Sequence, residues 1–166
     1  DMQLICEAYH IMRNALKLSQ EEMSSAFEEW NKAELDSFLI EITKDILKYK
    51  DDKGYLLERI RDTAGQKGTG KWTAIAALDY GVPVTLIGES VFARCLSALQ
   101  HERVEASSIL TGPDTTVYKG DKKEFLNHLK KALYASKIIS YAQGFMLLRE
   151  AAKVHNWNLN YGGIAL

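Results

Sequence analysis

The chain has 166 residues, 46% of them hydrophobic, so it is long enough to bury a core without disulfides or structural metals. Its 21 basic and 22 acidic residues leave a net charge of -1, which excludes the long-range field that would gather nucleic acid or an acidic membrane. Any anion site must therefore be local.

Leu4, Ile5, Ala8, Ile11, Met12 and Ala15 recur with helical spacing, predicting a first helix that ends near Leu18. Ser19-Gln20-Glu21-Glu22 has the spacing of a capping box, and Met23, Phe27 and Trp30 give the second helix its apolar face. Leu35, Phe38, Leu39, Ile42, Ile46 and Leu47 predict a third helix over 33–49, closed by a surface turn at Asp51-Asp52-Lys53-Gly54. After a glycine-rich loop at 65–70, a helix is expected over 71–80, with Gly81 and Pro83 as its stop, and another over 84–110.

The stretch 111–120 is polar and poorly periodic. Beyond it, Phe125, Leu126, Leu129, Leu133, Ile138, Ala142, Phe145, Met146 and Ala152 mark one long helix near 121–154, which at ~1.5 Å per residue would run to roughly 50 Å. Period-two alternation is confined to 82–87, where Pro83 argues against a strand, and to the short run 115–118. The fold class expected is all-α, a single helical domain over 1–166. Helical periodicity begins at the first residues and a new apolar run opens at 160–166, so the domain reads as a fragment truncated at both ends.

Cys6 and Cys95 each lie in an apolar, helix-like stretch and are expected to be small buried hydrophobes in a reducing compartment. No apolar run approaches the roughly 18 residues needed to span a bilayer, and no signal-peptide pattern opens the chain. A cytoplasmic location, with no membrane contact, is the expectation.

The densest chemical signal is Asp62-Thr63-Ala64-Gly65-Gln66-Lys67-Gly68-Thr69-Gly70-Lys71-Trp72, where glycines, lysines and a threonine occupy a loop that opens a helix. Glycines let backbone N–H groups approach an anion, a helix start adds partial positive charge, and Lys67 or Lys71 supplies a full one. Thr69 can donate its hydroxyl to a phosphate oxygen or cap the helix. A capped helix with solvated lysines is the bland alternative. Residues 65–71 also fit the G-x-x-x-x-G-K of a nucleotide P-loop, but Trp72 stands where the magnesium-binding Ser or Thr belongs, and the preceding 56–61 is charged and helix-like. ATP or GTP binding is rejected on both grounds.

The string from Asp62 to Trp72 resembles the signature of the 6-phosphogluconate dehydrogenases: Asp, two residues, Gly, Gln, Lys-Gly-Thr-Gly, one residue, Trp. The resemblance continues through 73–78, 81–87 and Glu89-Ser90-Val91-Phe92-Ala93-Arg94-Cys95, and covers 1–9, 30–43, 131–148 and 160–166. It implies an enzyme that oxidises 6-phosphogluconate with NADP and decarboxylates the product to ribulose 5-phosphate. It also implies that Lys67, Thr69 and Arg94 bind the substrate's phosphate. A guanidinium fork, an ammonium and a hydroxyl suit a phosphate dianion independently of that likeness. For Arg94, set among Val91, Phe92, Cys95 and Leu96, a structural ion pair is the competing explanation.

The resemblance further implies what these residues lack. No G-x-G-x-x-G follows a strand, so dinucleotide binding is not placed here. The family's catalytic Lys and Glu would precede Asp1, and an Arg and a His completing the phosphate site would come from the C-terminal tail of a partner subunit. No catalytic residue, cofactor ligand or metal ligand is assigned, binding without turnover is expected of these residues alone, and a homodimer through the helical domain is implied. Two other readings stay open: the helical domain of another β-hydroxyacid dehydrogenase with an unphosphorylated substrate, and a non-enzymatic anion-binding module.

His10, His101, His128 and His155 lack metal-ligand spacing and receive no role. Asp45, Asp51, Asp52, Glu102 and Glu105 read as solvated helix faces and turns. Lys122, Lys123, Lys130 and Lys131 form a basic stripe without an aromatic platform, so nucleic-acid binding is not expected.

Overall fold

The computed structural model describes residues 1–112 and 117–166, so Thr115 and Thr116 of the short strand-like run fall outside the described residues. Eight α-helices account for most of them: α1 (Met2–Asn14), α2 (Gln20–Trp30), α3 (Phe38–Lys48), α4 (Thr69–Asp79), α5 (Thr85–Ala98), α6 (Gln100–Ile109), α7 (Lys122–His155) and α8 (Tyr161–Ala165). A hairpin of two two-residue strands, β1 (Lys50–Asp51) and β2 (Gly54–Tyr55), stands where the surface turn was expected. The all-α class and the one long helix near 121–154, here α7, are as the sequence predicts. None of the helices is long and apolar enough to cross a membrane, among the described residues.

Two compact units are present, one of residues Asp1–Asp62 and Glu102–Lys137, the other of Thr63–His101 and Ile138–Leu166. In the first, the apolar faces of α1, α2 and α3 close on one another and on Leu129 and Leu133 of α7. Met12, Leu16, Met23, Phe27, Leu35, Ile40 and Leu47 are sealed from solvent there, and Phe27 meets Trp30 edge-on at a centroid distance of 5.1 Å. Ser24, also buried, spends its hydroxyl on the Lys44 carbonyl at 2.7 Å, which ties α2 to α3 without an unsatisfied group.

The capping box forms as its spacing predicts. Glu22 N–H donates to Ser19 Oγ at 3.2 Å and Ser19 N–H donates to Glu22 Oε2 at 2.7 Å. The Ser19 backbone bond, and then the Ser19 side chain, hold the Glu22 carboxyl below the usual glutamate range. A depressed carboxyl contributes stability above its unfolded value and loses it as pH falls through the folded one. Ser19→Ala should cost about 1 kcal/mol in denaturant unfolding at neutral pH, and the deficit should shrink once acid protonates Glu22. A deficit unchanged by acid would remove Glu22 from the account.

Two helix boundaries and the burial of the cysteines differ from expectation. α3 starts at Phe38 rather than near 33, because Ser37 is its cap, accepting from Ile40 N–H at 3.4 Å, while Asn31 Oδ1 accepts from Ser37 N–H at 3.0 Å and holds the turn before it. The expected helix over 84–110 is two, broken at Leu99, whose φ of -81° and ψ of 51° leave the helical region. Cys6 and Cys95 are exposed rather than buried, and neither is in a disulfide.

In the second unit, Ala77, Val82 and Val84 form the buried centre, packed by Tyr80, Ile87, Met146 and Leu147. α4 ends as Gly81 and Pro83 predict. Gly81 turns left-handed at a φ of 65°, Val82 N–H reaches back to Ala77 O at 2.8 Å and Gly81 N–H to Leu78 O at 3.2 Å, the two bonds of a Schellman motif. α5 has no cap from its own N-terminal side chain; buried Gln143 of α7 substitutes, its Oε1 accepting from Leu86 N–H at 3.0 Å and its Nε2 donating to Thr85 Oγ1 at 3.0 Å.

Candidate functional site

The glycine-rich loop and its neighbours belong to the second unit. The segment before it contains a 3-10 turn at Leu57–Arg59 and no buried strand, in keeping with the rejection of a P-loop. α4 begins two residues earlier than the expected start at Lys71, with Gly68 as its N-cap and Thr69 as its first residue. Gly68 is buried at a φ of 156° and a ψ of -40°, a backbone conformation that side chains disfavour, and an added Cβ would meet the Trp72 ring at 3.4 Å. Glycine is favoured there by the backbone geometry, since the Trp72 contact by itself is an ordinary one. It also means that no side-chain oxygen caps α4, so its first N–H groups keep their donor capacity. Thr69 is therefore not the cap, one of the two roles its hydroxyl was offered.

Arg94 reaches the loop from α5. Its Nε and Nη2 donate to the Gly65 carbonyl at 3.1 and 2.9 Å. The partner is a backbone oxygen rather than a carboxylate, so the structural ion pair considered for Arg94 does not form among the described residues. A guanidinium has five N–H donors in a fixed fork, and two on one carbonyl leave the others for a further acceptor. Lys67 and Thr69 are exposed, and their ammonium and hydroxyl have no hydrogen bond or ion pair among the described residues. One cation is thus docked on the loop and the other stands on it, beside a helix start with unspent donors.

Two contacts that the sequence did not disclose fix the loop's beginning. Thr63 Oγ1 donates to the Ser97 carbonyl at 3.1 Å, and Ala64 N–H donates to Ser97 Oγ at 3.0 Å. At the other end of the loop, a Cβ added to Gly70 would stand 2.7 Å from Val91 Cγ2, so α4 and α5 approach as closely as glycine permits. In the first unit Asp62, the opening residue of the motif, takes Arg103 Nη1 on its carboxylate at 3.0 Å and Arg103 Nη2 on its carbonyl at 2.7 Å.

The basic stripe is partly neutralised where it stands: Lys130 pairs with Glu34 at 3.0 Å. A cavity of about 850 Å³ beside α2 and the start of α7 is lined by Glu21, Glu22 and Glu29 as well as Lys122, Lys123 and Lys130. Its mixed charge favours no single ligand sign, and none of the three predicted site residues lines it. Among the histidines, His155 accepts or donates a 2.6 Å bond with the Tyr80 hydroxyl and stacks on Trp157 at 4.9 Å, a packing arrangement at the end of α7.

Comparison with known proteins agrees with the fold. The chain is 75% identical over 166 residues to 6-phosphogluconate dehydrogenase, decarboxylating, of Ceratitis capitata, and 70% identical over 167 aligned residues to that of Homo sapiens, covering 100% of this chain in both cases. It spans about a third of those relatives, 34% and 35% of their lengths. A solved structure of Plasmodium falciparum 6-phosphogluconate dehydrogenase, studied in its apo form, in complex with its cofactor NADP+ and in complex with its substrate 6-phosphogluconate, superposes with a TM-score of 0.93 at 42% identity. That match covers 99% of this chain and 36% of the other. The family described as 6PGD, 6-phosphogluconate dehydrogenase, C-terminal domain, matches residues 1–166, and the chain belongs to it.

Proposed function

We infer that this chain is the substrate-binding and dimerising helical part of an enzyme that oxidatively decarboxylates 6-phosphogluconate to ribulose 5-phosphate with reduction of NADP. Lys67, Thr69 and Arg94 hold the phosphate. The observation that carries this reading is the docking of Arg94 on the Gly65 carbonyl, which brings a guanidinium to the same short loop that bears Lys67, Thr69 and the uncapped start of α4. A phosphate dianion is the ligand for which such donors are worth most, since charge-assisted bonds are about twice as strong as neutral ones. Hydride transfer and the proton transfers belong to parts of the longer relatives that these residues do not cover, including the dinucleotide site for NADP.

Family membership argues against an unphosphorylated β-hydroxyacid as substrate and against a module without enzymatic function. A homodimer is supported by the apolar side chains that α4 and α5 leave exposed, among them Trp72, Leu78, Phe92 and Leu96, because a patch of that kind marks a protein interface.

The test is titration of the full enzyme with 6-phosphogluconate and with gluconate, before and after Lys67→Met. Loss of the ammonium should weaken 6-phosphogluconate by roughly ten- to a hundredfold, the range of one charge-assisted bond, and leave gluconate unchanged. Equal losses for the two ligands would remove Lys67 from the phosphate site.

A further inference from the structure

We propose that Ser97 is a positioning residue for the phosphate site, acting through the glycine-rich loop that Arg94 also grips; this rests on the reading of Lys67, Thr69 and Arg94 just given. Val91, Arg94 and Ser97 lie three residues apart and so share one face of α5. Each meets a different part of the loop or of the helix it opens. Ser97 takes the entry, through Thr63 and Ala64. Arg94 takes the carbonyl of Gly65. Val91 takes the close approach at Gly70. The stripe is a template along which the loop is laid.

The two Ser97 bonds act on the backbone immediately before the Gly65 carbonyl that Arg94 engages. Thr63 Oγ1 anchors to a main-chain oxygen, while Ala64 N–H depends on the Ser97 hydroxyl itself. Removing the hydroxyl leaves the Ala64 N–H, in a partly buried setting, without that acceptor and frees the residue next to Gly65. The Gly65 carbonyl then sets the guanidinium's orientation less strictly, and the donors left for the phosphate lose their fixed aim. Ser97 never touches the ligand. Its effect must therefore appear in phosphate affinity and not in the NADP site or in the chemical step.

In the full enzyme, Ser97→Ala should raise both the KM for 6-phosphogluconate and the inhibition constant of inorganic phosphate by about three- to tenfold, the range of one neutral hydrogen bond. The kcat and the KM for NADP should stay within about twofold, since uniform binding is lost without a transition-state interaction. Ser97→Thr, which keeps the hydroxyl, should restore the phosphate constant. Thr63→Val removes the companion bond and carries the same expectation if the alanine variant does not fold. An unchanged phosphate constant in Ser97→Ala, alongside a raised one in Lys67→Met, would overturn the role of Ser97 and leave the phosphate site standing. A parallel loss in kcat and in both KM values would overturn it as well, by showing a general structural defect. An unchanged phosphate constant in Lys67→Met would sink the site itself.

Discussion

Replacing Arg94 by alanine in the full enzyme is expected to raise the KM for 6-phosphogluconate by roughly a hundred- to a thousandfold, the largest effect of any single substitution at the phosphate site. Two losses combine. On the proposed reading the guanidinium no longer meets the phosphate, and the Gly65 carbonyl loses two donors at 3.1 and 2.9 Å. Charge-assisted bonds contribute about 1.5–3 kcal/mol each, and their sum over ligand and loop gives the stated range. Arg94→Lys restores a positive charge but not the planar fork, because an ammonium cannot hold the carbonyl and a phosphate oxygen in one fixed geometry. It should recover only a minor part of the affinity. Calorimetric titration with 6-phosphogluconate and gluconate separates the two losses: an equal loss for both ligands would mean that Arg94 serves the loop alone.

The largest effect on stability is expected from Phe27→Ala. Phe27 is fully buried in the first unit, edge-on to Trp30 and among the sealed residues of α1, α2 and α3. Truncation forfeits the transfer free energy of the ring and opens a cavity that helices capped at fixed positions do not readily close. About 3–5 kcal/mol is expected, read from denaturant unfolding together with hydrogen exchange in α2 and α3. Phe27→Leu, which keeps most of the volume, should cost less than half as much. A loss under about 1 kcal/mol for the alanine variant would show that the core repacks around the gap.

What the sequence disclosed and what it hid divide along the range of the interactions involved. The capping box at Ser19 and the Schellman stop at Gly81 were legible because each is closed by residues within a few positions of itself. The break at Leu99 was not, since no glycine or proline announces it and the backbone departs from the helix at a leucine. α3 started late because its cap is held by Asn31, across a turn whose residues look helical by periodicity. The apolar stretch around Cys95 predicts a buried thiol, yet Cys95 is exposed together with its neighbours Phe92 and Leu96. Spacing marks an apolar face without saying whether core or partner covers it.

The candidate site shows the same division. Lys67 and Thr69 stand in a recognisable string, and Arg94 followed from the resemblance that extends beyond it. Ser97 carries no such mark, because its bonds reach back 33 and 34 residues and one of them uses only its backbone oxygen. The signal available was its position one turn after Arg94 on the same helix face.

A loop that opens its helix with Gly68 has given up the usual means of satisfying that helix from within. Serine, asparagine or aspartate would present an oxygen to the first amides and compete with anything arriving from outside. The backbone at Gly68, with its φ of 156°, discourages all three. On the proposed reading, selectivity for an incoming oxyanion is thus protected by a restriction on the main chain: the molecule is unable to answer its own donors, and a ligand that did so would complete a helix the polypeptide leaves unfinished.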